Sequence, residues 1–150
     1  MKRLKLIFLP LIVLGLNTLW EFSHYRLYID LTGISPTVHL ILASLTDLIL
    51  ILFIFFVNSI LNKKINWIEN PKKIDYFFII LLGTLIATGI EIYSLSEGRW
   101  TYTSSMPTIF GIGISPLVQL STTAIISLRL INPSKFLKIK YKYLKKKWKT

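Results

Sequence analysis

Residues 38–60 read VHLILASLTDLILILFIFFVNSI, a run in which Asp47 alone carries a full charge at neutral pH. About 20 mostly apolar residues suffice for a helix to cross the hydrocarbon of a bilayer. Three more runs come close to that length: Leu6 to Tyr25, Tyr76 to Tyr93, and Ile109 to Ile131. The chain is 53% hydrophobic over 150 residues, with mean hydropathy +0.58. Long apolar runs in so short a chain leave no room for a soluble domain. The expected fold is all-α: a polytopic membrane protein with four transmembrane helices in a single domain over residues 1–131, followed by a basic tail over 132–150. The opening Met1-Lys2-Arg3-Leu4-Lys5 before an apolar run also fits a signal peptide. That run ends in Asn17-Thr18-Leu19-Trp20-Glu21, without a small-x-small cleavage site, so it is kept as helix one. With no cysteine there are no disulfides or thiolate metal sites.

Charge sets the expected orientation. All of the 18 Lys and Arg residues except Arg26 and Arg99 precede helix one, lie between helices two and three, or follow the body of helix four. Cationic loops stay in the cytoplasm, which places both termini inside a multi-pass protein of the cell membrane. The tail interleaves its lysines with Tyr141, Tyr143 and Trp148 directly after a span. That pattern suits anionic lipid headgroups rather than nucleic acid, despite the net charge of +11.

Within this topology Glu21 and His24 fall near the external end of helix one. His39 stands at the mouth of helix two with Asp47 about 12 Å deeper, and Glu91 comes to the same outer layer on helix three. Carboxyl groups in a membrane span face a bundle interior, a water cavity or a substrate, because in hydrocarbon they are costly. Asn17, Glu21, His24 and Tyr28 share one helical stripe, as do Thr84, Thr88 and Glu91, while helix four offers Ser115, Gln119, Thr122 and Thr123. Gly83 and Ala87 form a small-x-x-x-small pair that allows close helix approach. Trp20, Tyr25, Tyr28, Tyr93, Trp100 and Tyr102 make an outer aromatic belt, joined by Asp30, Glu97 and Arg99 on the external connections.

The chain also repeats itself. Gly33-Ile34-Ser35-Pro36-Thr37-Val38-His39-Leu40 matches Gly113-Ile114-Ser115-Pro116-Leu117-Val118-Gln119-Leu120 at six of eight positions, and Thr18-Leu19-Trp20-Glu21 resembles Thr88-Gly89-Ile90-Glu91. Two helical hairpins, about residues 1–60 and 75–131, are therefore expected about a pseudo-twofold axis along the membrane normal, with Glu21 and Glu91 as equivalents. Ser35-Pro36 and Ser115-Pro116 are expected to start helices two and four, Ser as N-cap and Pro at the first helical position. Met106 to Ile114 then becomes a short re-entrant or interfacial stretch, expected to form a lid or wall over the outer site.

Two carboxyl groups in a low-dielectric site repel when both are ionised, so such a site favours one shared proton and proton donation to a lipophilic olefin. The candidate catalytic residues are Glu21, Glu91, Asp47 and His24. Asn17, His39, Trp20, Arg99, Trp100, Tyr102 and Gln119 are the candidate substrate-binding residues. No cofactor is expected. The alternative is a divalent metal on Glu21, His24, Asp47 and Glu91, since Glu21-x-x-His24 has the spacing found in di-iron bundles. Phosphate-binding glycine loops, His-Glu-x-x-His and nucleophile elbows are absent.

The segment Glu91 to Pro116, with Gly98-Arg99-Trp100-Thr101-Tyr102 and the later Gly113-x-x-Pro116 turn, resembles the region of small carotenoid-modifying membrane proteins of the lycopene cyclase and hydratase types. In those proteins a membrane Glu precedes a glycine and aromatic loop. The resemblance implies acid-assisted chemistry on an isoprenoid in the bilayer, with Glu91 as the acid. The expected function is thus a small membrane enzyme or enzyme subunit acting on a lipophilic small molecule, with membrane lipids as surroundings. The alternatives are a proton-coupled binding or transport module working as a homo- or hetero-oligomer, and a non-catalytic assembly partner.

Overall fold

The computed structural model describes residues 2–132. The expected contact of the basic tail with lipid headgroups falls on residues 133–150, outside the described residues. Four helices carry the fold: α1 (Lys2–His24), α2 (Pro36–Leu61), α3 (Lys73–Ser96) and α4 (Ile114–Ile131). Each is long and apolar enough to cross a membrane. They form a ring in which α3 packs on α4, α4 on α1 and α1 on α2, while the α2–α3 seam is the sparsest. Leu9, Val13, Ile51, Ile54, Ile79, Leu120, Ala124 and Leu128 fill the centre. Leu11, Ile49, Phe53, Phe56 and Leu85 cover the outside instead. A bundle that shows apolar side chains all round its surface is built for an apolar solvent.

α3 and α4 approach each other closely at Gly83. A Cβ there would lie 2.4 Å from Ser121 Oγ and 3.1 Å from the Ser121 nitrogen. Ser121 Oγ in turn donates to the Ile80 carbonyl at 3.2 Å, a hydroxyl tying α4 to the backbone of α3. At the end where α1 begins and α4 finishes, Trp67 and Ile68 of the α2–α3 connection are buried, and the Trp67 indole donates to Ser59 Oγ at 2.9 Å. Asp75 holds the same connection, accepting from Asn62 Nδ2 and from the Lys72 amide, each at 2.6 Å.

The opposite end carries two short antiparallel ribbons that helical periodicity does not reveal. β1 (Tyr28–Asp30) pairs with β2 (Trp100–Tyr102), and β3 (Thr108–Ile109) pairs with β4 (Ile112–Gly113). Met106 to Ile114, expected as a re-entrant or interfacial stretch, thus contains a β-hairpin, and α4 begins at Ile114 rather than at Pro116. Helix caps differ from expectation as well. Ser35 stands at the N-cap of α2 with Pro36 behind it, yet its hydroxyl makes no capping bond. At α4 the N-cap is Gly113, and Ser115 Oγ is buried without a partner inside the first turn.

Candidate functional site

Four carboxyl side chains line one cavity, three of them from the helices and the fourth, Asp30, from β1. It has a volume of about 280 Å³ and lies among α1, α2, α3 and the β1–β2 ribbon, lined by Glu21, Asp47, Glu91, Gln119, Asp30, His39, Arg99 and Trp100 together with Tyr25, Tyr28 and Ser94. Gln119, buried on α4, sits between two of the acids. Its Nε2 donates one hydrogen to Glu21 Oε1 at 2.5 Å and the other to Asp47 Oδ2 at 2.6 Å. A single amide thereby holds the carboxyl groups of α1 and α2 side by side, using both of its donors.

Glu91 is held differently. Its Oε2 accepts from the Trp100 indole at 3.3 Å and from the Tyr102 phenol. The turn after α3 makes this arrangement local. Gly98, at φ +63°, ends the helix, the Arg99 amide bonds the Ser94 carbonyl at 2.9 Å, and the Gly98 amide bonds that of Leu95 at 3.2 Å. This Schellman turn reverses the chain, so β2 folds back over the last turn of α3 with its aromatic donors above Glu91. β1 then pairs with β2 in the register Tyr28–Tyr102 and Asp30–Trp100, closing the ribbon over the acids.

At the mouth, His39 Nδ1 meets Asp30 Oδ2, while Asp30 Oδ1 accepts from the Thr32 amide at 2.9 Å and from the Thr32 hydroxyl at 2.6 Å. With Nδ1 engaged by the carboxylate, Nε2 is the imidazole atom left for other chemistry. Burial works against ionised Asp30, but hydrogen bonds from Thr32 and His39 outweigh it and hold the carboxyl below the usual aspartate range. A carboxylate stabilised in the folded state contributes stability above its unfolded pKa, and that stability is lost as pH falls through the lower, folded value. Thermal melts of the detergent-solubilised protein taken from neutral pH down to about pH 3 should therefore fall more steeply for the native chain than for Asp30→Asn. The two tyrosines beside Glu91 remain phenols well into alkali. Burial, then Glu91, push the Tyr28 hydroxyl far above its ordinary range, and burial, then the bond to Glu91, do the same for Tyr102.

Several expected members stand elsewhere. His24 stacks on Trp20 with ring centroids 4.6 Å apart, and its Nδ1 bonds Ser23 Oγ and the Trp20 carbonyl, so neither ring lines the cavity. Glu21-x-x-His24 accordingly does not converge. Among the described residues no three His, Asp or Glu side chains are grouped to hold a metal. Asn17 is fully buried below the cavity, where it accepts from Thr123 Oγ1 at 3.1 Å and joins α1 to α4. The β3–β4 hairpin, expected as a lid, contributes no lining residue.

Asp30 is the cavity-lining acid that helical periodicity does not single out. Its signal is local, an Asp30-x-Thr32-Gly33 turn whose side-chain bonds fold the chain back toward His39. No protein-family model matches this chain, and neither a curated protein nor a solved structure is significantly similar to it.

Proposed function

We propose that the chain is a multi-pass protein of the cell membrane, both termini cytoplasmic and the cavity in the outer half, which acts on a lipophilic isoprenoid or lipid by carboxyl acid/base chemistry. One observation carries this reading. The cavity that gathers Glu21, Asp47 and Glu91 is rimmed by exposed Leu42 and Thr46 of α2 and by Ile90 of α3, at the sparsest seam of the bundle. A molecule dissolved in the bilayer would reach the acids sideways through that seam without passing through water.

The two kinds of carboxyl environment suggest a division of roles. Glu21 and Asp47, side by side on one amide, share a proton and serve as the acid toward an olefinic carbon. Glu91, whose Oε2 already accepts two hydrogen bonds, suits the acceptor role and takes a proton from a neighbouring carbon of the cation. This reverses the donor role that the resemblance implies for Glu91. Trp100, Tyr28 and Tyr25 give the transient cation aromatic faces. Proton gain and proton loss balance, so substrate and product are isomers. His39, aligned by Asp30 at the mouth, returns the proton from Glu91 to the Glu21–Asp47 pair. The two-hairpin reading fits this plan: β1 and β2 each follow the first helix of a hairpin, and they pair antiparallel as a twofold axis would require.

Untargeted chromatography and mass spectrometry of lipid extracts test the proposal. Cells making the native chain should accumulate a compound of unchanged mass and altered retention. Glu91→Gln and Glu21→Gln should abolish it at equal protein level. Extracts that are identical for the native chain and both variants would sink the enzyme reading.

A further inference from the structure

The β3–β4 hairpin stands apart from the cavity, and its tip is built in an unusual way. Phe110 and Gly111 occupy the two central positions of the turn at φ 51° and 81°. A two-residue hairpin loop with both residues at positive φ is a type I′ turn, where Asn-Gly is preferred and a bulky residue at the first position is locally disfavoured. Phe110 takes that disfavoured place while contacting almost nothing, being 101% exposed, and Ile109 beside it is 50% exposed. A large apolar residue in a strained conformation and without protein neighbours implies an apolar partner outside the chain.

Three features point to lipid as that partner. α4 has 18 residues and so rises about 27 Å, a little less than the hydrocarbon thickness of about 30 Å. Its first residue is tied to the hairpin base, the Ile114 amide bonding the Pro107 carbonyl at 2.9 Å, which keeps the ribbon near the level where hydrocarbon gives way to headgroups. No Asp, Glu, Lys, Arg or His occurs from Trp100 to Leu128, so no charged side chain in the hairpin or next to it in sequence opposes insertion of the tip. The base is also firmly seated. Met106 is buried, and a Cβ on Gly113 would come within 3.1 Å of Met106 Sδ, so the tip projects from a fixed support.

We propose that the β3–β4 hairpin is a bilayer anchor at the cavity end of the bundle, with Phe110 and Ile109 in contact with lipid acyl chains. The proposal rests on the membrane part of the reading above and is independent of the acid/base chemistry. An anchor here would hold α4, and with it Gln119, at a set depth relative to the lipid from which substrate enters.

The chain lacks cysteine, so single cysteines can be introduced without removing any. A nitroxide on Phe110→Cys in phosphatidylcholine vesicles would be compared with one on Leu85→Cys, a 60% exposed mid-helix site, and one on exposed Glu97→Cys. The expected result is accessibility to oxygen several-fold above that to a water-soluble nickel chelate at position 110, as at 85, with the order inverted at 97. Nickel accessibility at 110 equal to that at 97 would overturn the anchor. Protection from both reagents that weakens on dilution into excess lipid would also overturn it, in favour of a second copy of the chain. Nickel access at 85 would instead defeat the membrane reading itself. Phe110→Asn should leave the melting temperature in detergent unchanged or higher, since Asn suits the turn; a lower value would mean that Phe110 serves packing, against the proposal.

Discussion

Gln119→Leu is expected to cost about 2 kcal/mol or more, because of the two hydrogen bonds lost together one goes to a charged carboxylate, worth about 1.5–3 kcal/mol, and the other to its protonated partner, worth about 0.5–1.5 kcal/mol. The substitution preserves bulk but leaves Glu21 and Asp47 facing each other without the donor that now joins them at 2.5 and 2.6 Å. Thermal and denaturant unfolding in detergent would read the loss. The mechanism has its own check: in an Asp47→Asn background the new amide can donate to Glu21, so the same Gln119→Leu change should cost much less. Equal costs in both backgrounds would show that Gln119 acts through packing rather than by bridging the acids. Gln119→Glu, which adds a third carboxyl to the pair, should be the least stable of the series.

Gly83→Val should prevent the native packing of α3 on α4. The contact leaves no space for one carbon: a Cβ would meet Ser121 Oγ at 2.4 Å, the Ser121 nitrogen at 3.1 Å and its Cα at 3.3 Å. The hydroxyl can rotate away, but the backbone atoms cannot move without parting the helices. Overpacking of this kind costs about 1–3 kcal/mol for a single added group, so Gly83→Ala should lower the melting temperature measurably and Gly83→Val should abolish a cooperative transition. Gly89, whose Cβ would meet nothing within 4 Å, is the matched control, and Gly89→Ala should be tolerated. Because α4 carries Gln119, loss of the α3–α4 contact should also scatter the acids, visible as loss of function alongside loss of stability.

Periodicity reads well what repeats and poorly what occurs once. Four apolar runs reveal four helices, because a span has to satisfy its backbone internally and the helix does this with local bonds. Gly83 with Ala87, and the acids Glu21, Asp47 and Glu91, are legible for the same reason: small residues and charges stand out against an apolar run. The helix ends were less legible. Ser115-Pro116 looks like Ser35-Pro36, yet the β3–β4 ribbon lets α4 start at Ile114, so the second Ser lies inside the first turn with its hydroxyl unpaired. The ribbons leave no periodic signal because two- and three-residue strands are set by their pairing partner, and Tyr28–Asp30 finds Trp100–Tyr102 about 70 positions away.

The division for the site follows from the same physics. By itself the sequence determined that this chain has four apolar helices, that most of its acids gather toward the end opposite its lysines, and that Glu21, Asp47, Glu91 and Gln119 are the residues to watch there, since composition and helical phase are local properties. Only the tertiary structure decided which of them act together. Gln119 joins Glu21 to Asp47, Trp100 and Tyr102 claim Glu91, Asp30 claims His39, and His24 turns away to stack on Trp20. Those choices depend on distances of a few ångströms, many of them between distant segments: close packing at Gly83 seats α4 with Gln119, the turn at Gly98 folds Trp100 and Tyr102 back over Glu91, and the Thr32 turn brings Asp30 to His39.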